Sequence, residues 1–104
     1  MNKLIIAAVF AISITLLPAS VSHGDEALAR SKGCLSCHSI DKKILGPAYR
    51  DVAAKYANHN EVVGQLVEKV RKGCVGSWGA IPMPPAPVSV DEATNLVHWI
   101  LKGG

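Results

Sequence analysis

Cys34-Leu35-Ser36-Cys37-His38 places two thiols three residues apart, with an imidazole directly after the second. On one helical turn both thiols face the same way. Thiols so spaced can add across the two vinyl groups of a haem, and the neighbouring His38 then lies under the iron, so the pentapeptide reads as c-type haem attachment. Far downstream, Ile81-Pro82-Met83-Pro84-Pro85 holds the only methionine besides the initiator. A thioether fixed in a proline loop suits a sixth iron ligand, and a His/Met pair raises the potential because soft sulfur favours the reduced iron. The chemistry expected is that of a one-haem electron carrier. Cys34 and Cys37 are its thioether anchors, and His38 and Met83 its metal ligands.

Other chemistries use parts of this set. A thiol redox enzyme places its Cys-x-x-Cys between a strand and a helix, and no useful length of this chain alternates as a strand does. A zinc site could draw on Cys34, Cys37, Cys74 and either His38 or His59. That count leaves the proline–methionine loop without a purpose and asks adjacent Cys37 and His38 to reach one ion. His23 near the start, His59 between helices and His98 on a polar helix face read as surface residues. Within the haem reading, the alternative function is a ligand binder or sensor in which Met83 leaves the iron.

The elements that position these groups begin after a leader. Met1-Asn2-Lys3 supplies a positive start, Leu4 to Leu17 is apolar and uncharged, and Ala19 to Ser22 are small residues or valine. This is the grammar of a secretory signal peptide over residues 1–22, cut after Ser22 or as late as Gly24. The run falls short of the roughly 20 residues that span a bilayer. A domain over 25–104 remains, and a chain of about 80 residues buries only around 60–65% of its surface. Such scaffolds need a staple. The aromatic residues left are Tyr49, Tyr56, Trp78 and Trp99, so a large apolar cofactor would fill a core that the side chains alone leave thin.

Charge excludes little else. Eleven Lys and Arg face eight Asp and Glu, a net charge of +3, and Lys3 departs with the leader. The clusters Lys42/Lys43 and Lys69/Arg71/Lys72 are too short for nucleic acid and at most steer an acidic redox partner. Cys74 is unused by the haem reading. It stands either as a small buried hydrophobe or as a thiol able to join two chains, though a monomer is expected.

Gly and Pro divide the domain into about four short helices, an all-α class. Asp25-Glu26 opens the first, which runs to about Lys32 and stops at Gly33. Pro47 suits a first helical position ahead of a second helix over 48–57, with Tyr49, Val52, Ala53 and Tyr56 on one face. Asn60 reads as N-cap of a third helix, Glu61 to Lys72, striped by Val63, Leu66, Val67 and Val70. Gly73 is expected to end it in the left-handed conformation. The proline-rich stretch 74–88 is a stiff loop. Ser89-Val90-Asp91-Glu92 is a capping box for a last helix to about Leu101, striped by Ala93, Leu96, Val97, Ile100 and Leu101, with Trp99 on the flank toward the first helix.

Three segments together, Gly33 to His38, Gly46-Pro-Ala-Tyr-Arg-Asp-Val-Ala-Ala-Lys-Tyr56 and Gly76-Ser-Trp-Gly-Ala-Ile-Pro-Met-Pro-Pro85, resemble the small bacterial class I cytochromes c of the c-551/c-552 type. The resemblance covers essentially the whole domain. It implies an all-α fold wrapped round one covalent haem c in the periplasm, carrying single electrons from a bc-type complex to a terminal oxidase or nitrite reductase, with no enzymatic activity. It further implies that the Pro47 carbonyl accepts the His38 ring proton, that Trp78 donates its indole N–H to a haem propionate, and that Lys69 pairs with a propionate. Two positions depart from the pattern. Ala86 stands where relatives often carry Asn near the methionine, and Cys74 is not a family feature.

Overall fold

The computed structural model describes residues 7–16 and 25–104. The leader boundary, both candidate cleavage bonds and His23 lie outside the described residues. Residues 7–16 are exposed and carry no regular secondary structure. Among the described residues no helix is long and apolar enough to cross a membrane.

Among the described residues there are four α-helices: α1 Glu26–Ser31, α2 Tyr49–Lys55, α3 Val63–Lys72 and α4 Val90–Leu101. Two short 3-10 turns, Cys34–Ser36 and Asn60–Val62, precede α2 and α3. The helix count and type match the all-α expectation. α4 is the hub, since α1, α2 and α3 all pack on it. Its start is the capping box read from the sequence. The Glu92 amide donates to Ser89 Oγ at 3.1 Å, and the Ser89 amide donates to Glu92 Oε1 at 3.0 Å. The Ser89 amide holds the exposed Glu92 carboxyl below its ordinary pKa, because its hydrogen bond favours the ionised form.

The other helix starts are built differently. The first amides of α2 are satisfied by main chain rather than by a side chain: Tyr49 N donates to Ser39 O at 2.9 Å and Arg50 N to Ile40 O at 3.0 Å. Helix donors that lack an intrahelical partner need one from elsewhere, and here the loop after His38 supplies it. That stitching ties the Cys-x-x-Cys-His segment to α2. At α3 the expected N-cap is corrected. Asn60 lies inside the 3-10 turn and α3 begins at Val63, with no side-chain cap. The 3-10 turn tightens the entry and takes over the role of a cap.

Gly73 is a second correction. Its φ of 81° is positive as expected, but ψ is 169°, outside the left-handed helical well and in a region essentially reserved for glycine. The chain therefore leaves α3 extended instead of curling back. It runs at once into an antiparallel bridge between Cys74 and Met83, with Cys74 N donating to Met83 O at 3.0 Å and Met83 N to Cys74 O at 2.8 Å. A Cβ on Gly73 would stand 2.6 Å from Met83 O, so the close approach of the two segments depends on its absence.

The buried core is mostly alanine and valine, with Leu96 and two aromatic residues. It comprises Ala29, Ala48, Tyr49, Val52, Val67, Val70, Val88, Ala93, Leu96, Val97 and Trp99. Trp99, expected on the flank toward α1, is buried with its ring edge-on to Tyr49 of α2, 5.4 Å between centroids and 75° between planes. Within the predicted α4 stripe, Ala93, Leu96 and Val97 are buried, while Ile100 and Leu101 are partly so.

Candidate functional site

One cavity opens between α2, α3, α4 and the 74–84 loop. Cys34, Cys37, His38 and Met83 all line it, beside apolar walls from Val52, Leu66, Val70, Leu96, Val97 and Ile100. The Cys34–His38 pentapeptide and the distant Met83 thus share one apolar hollow. The donor set is two thiols, one imidazole and one thioether in surroundings that favour a flat, mostly apolar group. These residues fit a haem held by two thioether bonds and two axial ligands. Among the described residues no group of three or more His, Cys, Asp and Glu converges as a zinc site would require.

Each candidate ligand is held by main chain. His38 sits directly after the 3-10 turn, where its own amide donates to Cys34 O at 3.0 Å. Its Nδ1 donates to Pro47 O at 2.8 Å. This leaves Nε2 as the free donor atom and strengthens it, as carbonyl partners do for metal-bound imidazoles. Met83 is held by the Cys74 bridge on one side. Nearby, Ala86 N donates to Val70 O at 2.9 Å, which fastens the loop to α3. Prolines on both sides of the methionine add stiffness without hydrogen bonds of their own.

Three residues that sequence reasoning left without a task help to build the site. Gly46 backs the imidazole: a Cβ there would come within 3.0 Å of Cε1, Nδ1 and Nε2 of His38. The adjoining Pro47 marks a helix start, but nothing local in the sequence marks that approach. Gly46→Ala is expected to push the ring off its Pro47 bond, with an overpacking cost of about 1–3 kcal/mol. At about 4–8 °C per kcal/mol for a domain this small, the melting temperature should fall clearly, and the visible spectrum should report the displaced ligand. Tyr49 stacks on His38, and its hydroxyl neighbours the Cys34 thiol. Burial pushes both groups up, the Tyr49 phenol strongly and the Cys34 thiol more modestly. Both are therefore neutral in the unmodified chain at ordinary pH.

Cys74 is the third. Its contribution to Met83 runs through its N–H and C=O, and its half-buried thiol lines the cavity beside them. Cys74→Ser should therefore leave the midpoint potential and the melting temperature nearly unchanged. Cys74→Pro, which deletes the N–H, should lower both, as read by voltammetry and thermal melting.

Lys69 and Trp78 stand together at the cavity mouth. Lys69 Nζ donates to Ser77 Oγ at 2.8 Å, so this ammonium is engaged within the chain at the loop that carries Trp78. Lys55, which the sequence did not single out, sends its Nζ over the Trp78 ring at 4.6 Å from the centroid. Around them Leu45, Val75 and Ile81 form an exposed apolar rim. His98 is exposed. His59 is exposed too and pairs with Glu61 at 2.8 Å, away from the cavity lining.

No family model matches the chain. It is 49% identical to cytochrome c-551 of Pseudomonas aeruginosa over 77 residues, 74% of each chain. It is also 43% identical to cytochrome c-552 of Hydrogenobacter thermophilus over 102 residues, 98% of each. Among solved structures, wild-type cytochrome c552 of Nitrosomonas europaea matches with a TM-score of 0.71 and 42% identity, over 75% of this chain and 98% of that one. The class 1 cytochrome MtoD of Sideroxydans lithotrophicus matches with a TM-score of 0.61 and 30% identity, over 74% and 89%. A helical shell on an apolar hollow, the Cys-x-x-Cys-His turn on its wall and near-halfway identity along the domain converge on one assignment: the chain belongs to the class I cytochromes c of the c-551/c-552 type, with one covalently attached haem c as cofactor.

Proposed function

We propose that this chain is exported to the periplasm under its N-terminal leader and there carries single electrons between respiratory complexes. The pathway would run from a bc-type complex to a terminal oxidase or nitrite reductase, and the chain itself would catalyse no reaction. The observation that carries this reading is that His38 and Met83 line one cavity, with the His38 ring held by the Pro47 carbonyl and the Met83 backbone by its bridge to Cys74. The haem supplies a one-electron iron couple when bound. Cys34 and Cys37 would anchor it as thioethers, and His38 and Met83 would both ligate its iron, which would leave no site for a substrate. A saturated site that keeps its ligands in both oxidation states exchanges electrons with little rearrangement, which suits a carrier.

The rim supports a docking role. Leu45, Val75 and Ile81 are exposed around the mouth, with Lys43 and Lys55 close by. An apolar contact face edged by ammonium groups favours a partner with acidic residues round an apolar patch, and the charges act mainly on the rate of encounter. Trp78 and Lys69 would hold the propionates, and Lys69 Nζ now donates to Ser77 Oγ on the loop that carries Trp78. Protein matured in an export-competent host should show a six-coordinate low-spin spectrum when reduced. Its mass should be that of residues 23–104 or 25–104 plus one haem. Addition of carbon monoxide to the reduced form should leave that spectrum unchanged. Ready binding would instead favour a ligand sensor with a labile methionine.

A further inference from the structure

Tyr49 is a buried aromatic beside His38 that ligation and electron transfer leave without a role. It is 3% exposed and opens α2, two residues after the carbonyl that accepts the His38 proton. Its ring stacks on the imidazole with 4.8 Å between centroids and 18° between planes. Trp99 then meets Tyr49 edge-on from α4, so the tyrosine is itself held in place. One hydrogen bond at Nδ1 does not define the imidazole plane. The terminal torsion of histidine is broad, and a hydrogen bond tolerates tens of degrees of misalignment. A flat ring lying against the imidazole does define it, because turning the imidazole would drive its edge into the stacked face.

We propose that Tyr49 is a positioning residue that sets the plane of the His38 ring, and through it the orientation of the proximal ligand about the iron. The proposal rests on the reading of His38 as that ligand. A second consequence concerns charge. The electron-rich phenol face favours positive charge on the imidazole beside it, and that charge is greater over oxidised iron. Stacking therefore favours the oxidised form, and an electron-poor ring at the same place should disfavour it.

The test uses the haem-loaded protein. The electron paramagnetic resonance anisotropy of the oxidised form reports ligand-plane orientation, and the midpoint potential reports the charge effect. Tyr49→Phe removes the hydroxyl but keeps the stack, and should retain the native anisotropy. Tyr49→Leu should shift and broaden it. Val67→Ala, in a buried position on α3 that does not line the cavity, should destabilise the fold yet leave the anisotropy native. A native signal from Tyr49→Leu, or an equal shift from Val67→Ala, overturns the proposal. Where the leucine variant does not fold, phenylalanines bearing increasing ring fluorination at position 49 keep the shape. The potential should climb stepwise along that series, and a flat series overturns the proposal. Absence of histidine nitrogen hyperfine coupling from the unaltered protein would sink the ligand reading itself, whereas coupling that persists beside an unmoved Tyr49→Leu signal sinks the positioning role alone.

Discussion

Met83→Ala is expected to lower the midpoint potential and to make the reduced protein bind carbon monoxide. Axial ligands command a span of ~0.8 V in haem proteins, so loss of one of two should move the potential by more than ~0.1 V. The direction follows from the sulfur, which stabilises the reduced iron. The substitution is clean because Met83 is placed by main chain: the bridge to Cys74 uses only N–H and C=O groups, and alanine keeps both. The 74–88 loop should therefore hold its course while the thioether alone disappears. Truncating a partly buried methionine costs about 2–5 kcal/mol at the upper end of burial, so some loss of melting temperature accompanies the change without explaining it. Redox titration with gas binding checks the outcome, and an unchanged potential would remove Met83 from the ligand set.

The parts of the site that were legible in the sequence are those where side-chain chemistry itself is the signal. Cys34, Cys37 and His38 form a reactive spacing, and Met83 stands out as a lone thioether among prolines. α4 was legible because its stripe and its capping box both lie within the helix. The remainder arises from contacts that no local pattern encodes. The Cys74–Met83 bridge pairs main chain with main chain across nine residues, so neither side chain announces it. The Gly46 approach and the Tyr49 stack exist only once α2 is stitched to the loop after His38 through Ser39 and Ile40. Asn60 misled because its type favours a cap, whereas the chain enters α3 through a 3-10 turn. Gly73 was correctly marked as a helix stop, yet its ψ is dictated by the segment that it must meet rather than by the helix that it ends.

The haem-free chain, prepared without its leader, is expected to lose most of its helical circular dichroism and to show no cooperative melt. Five of the eleven core residues also line the cavity: Tyr49, Val52, Val70, Leu96 and Val97 are buried and at the same time form its walls. Emptying it exposes the same surfaces whose burial holds α2, α3 and α4 together. Apolar burial is worth roughly 25 cal/mol per Å², and a single core in a domain of this size seldom supplies more than ~3–5 kcal/mol, so the margin is small before the loss. Short helices make matters worse. α1 and α2 span 6 and 7 residues, well below the ~12–15 at which an isolated helix becomes even marginal in water. α4, with 12 residues and its capping box intact, is the segment most able to keep a residual helical signal. Circular dichroism with thermal melting of haem-free and haem-loaded chains side by side reads the difference directly. A fully helical, cooperatively melting haem-free form would mean that the side chains suffice, and that the cavity is a binding pocket in a finished fold rather than the unfilled centre of an unfinished one.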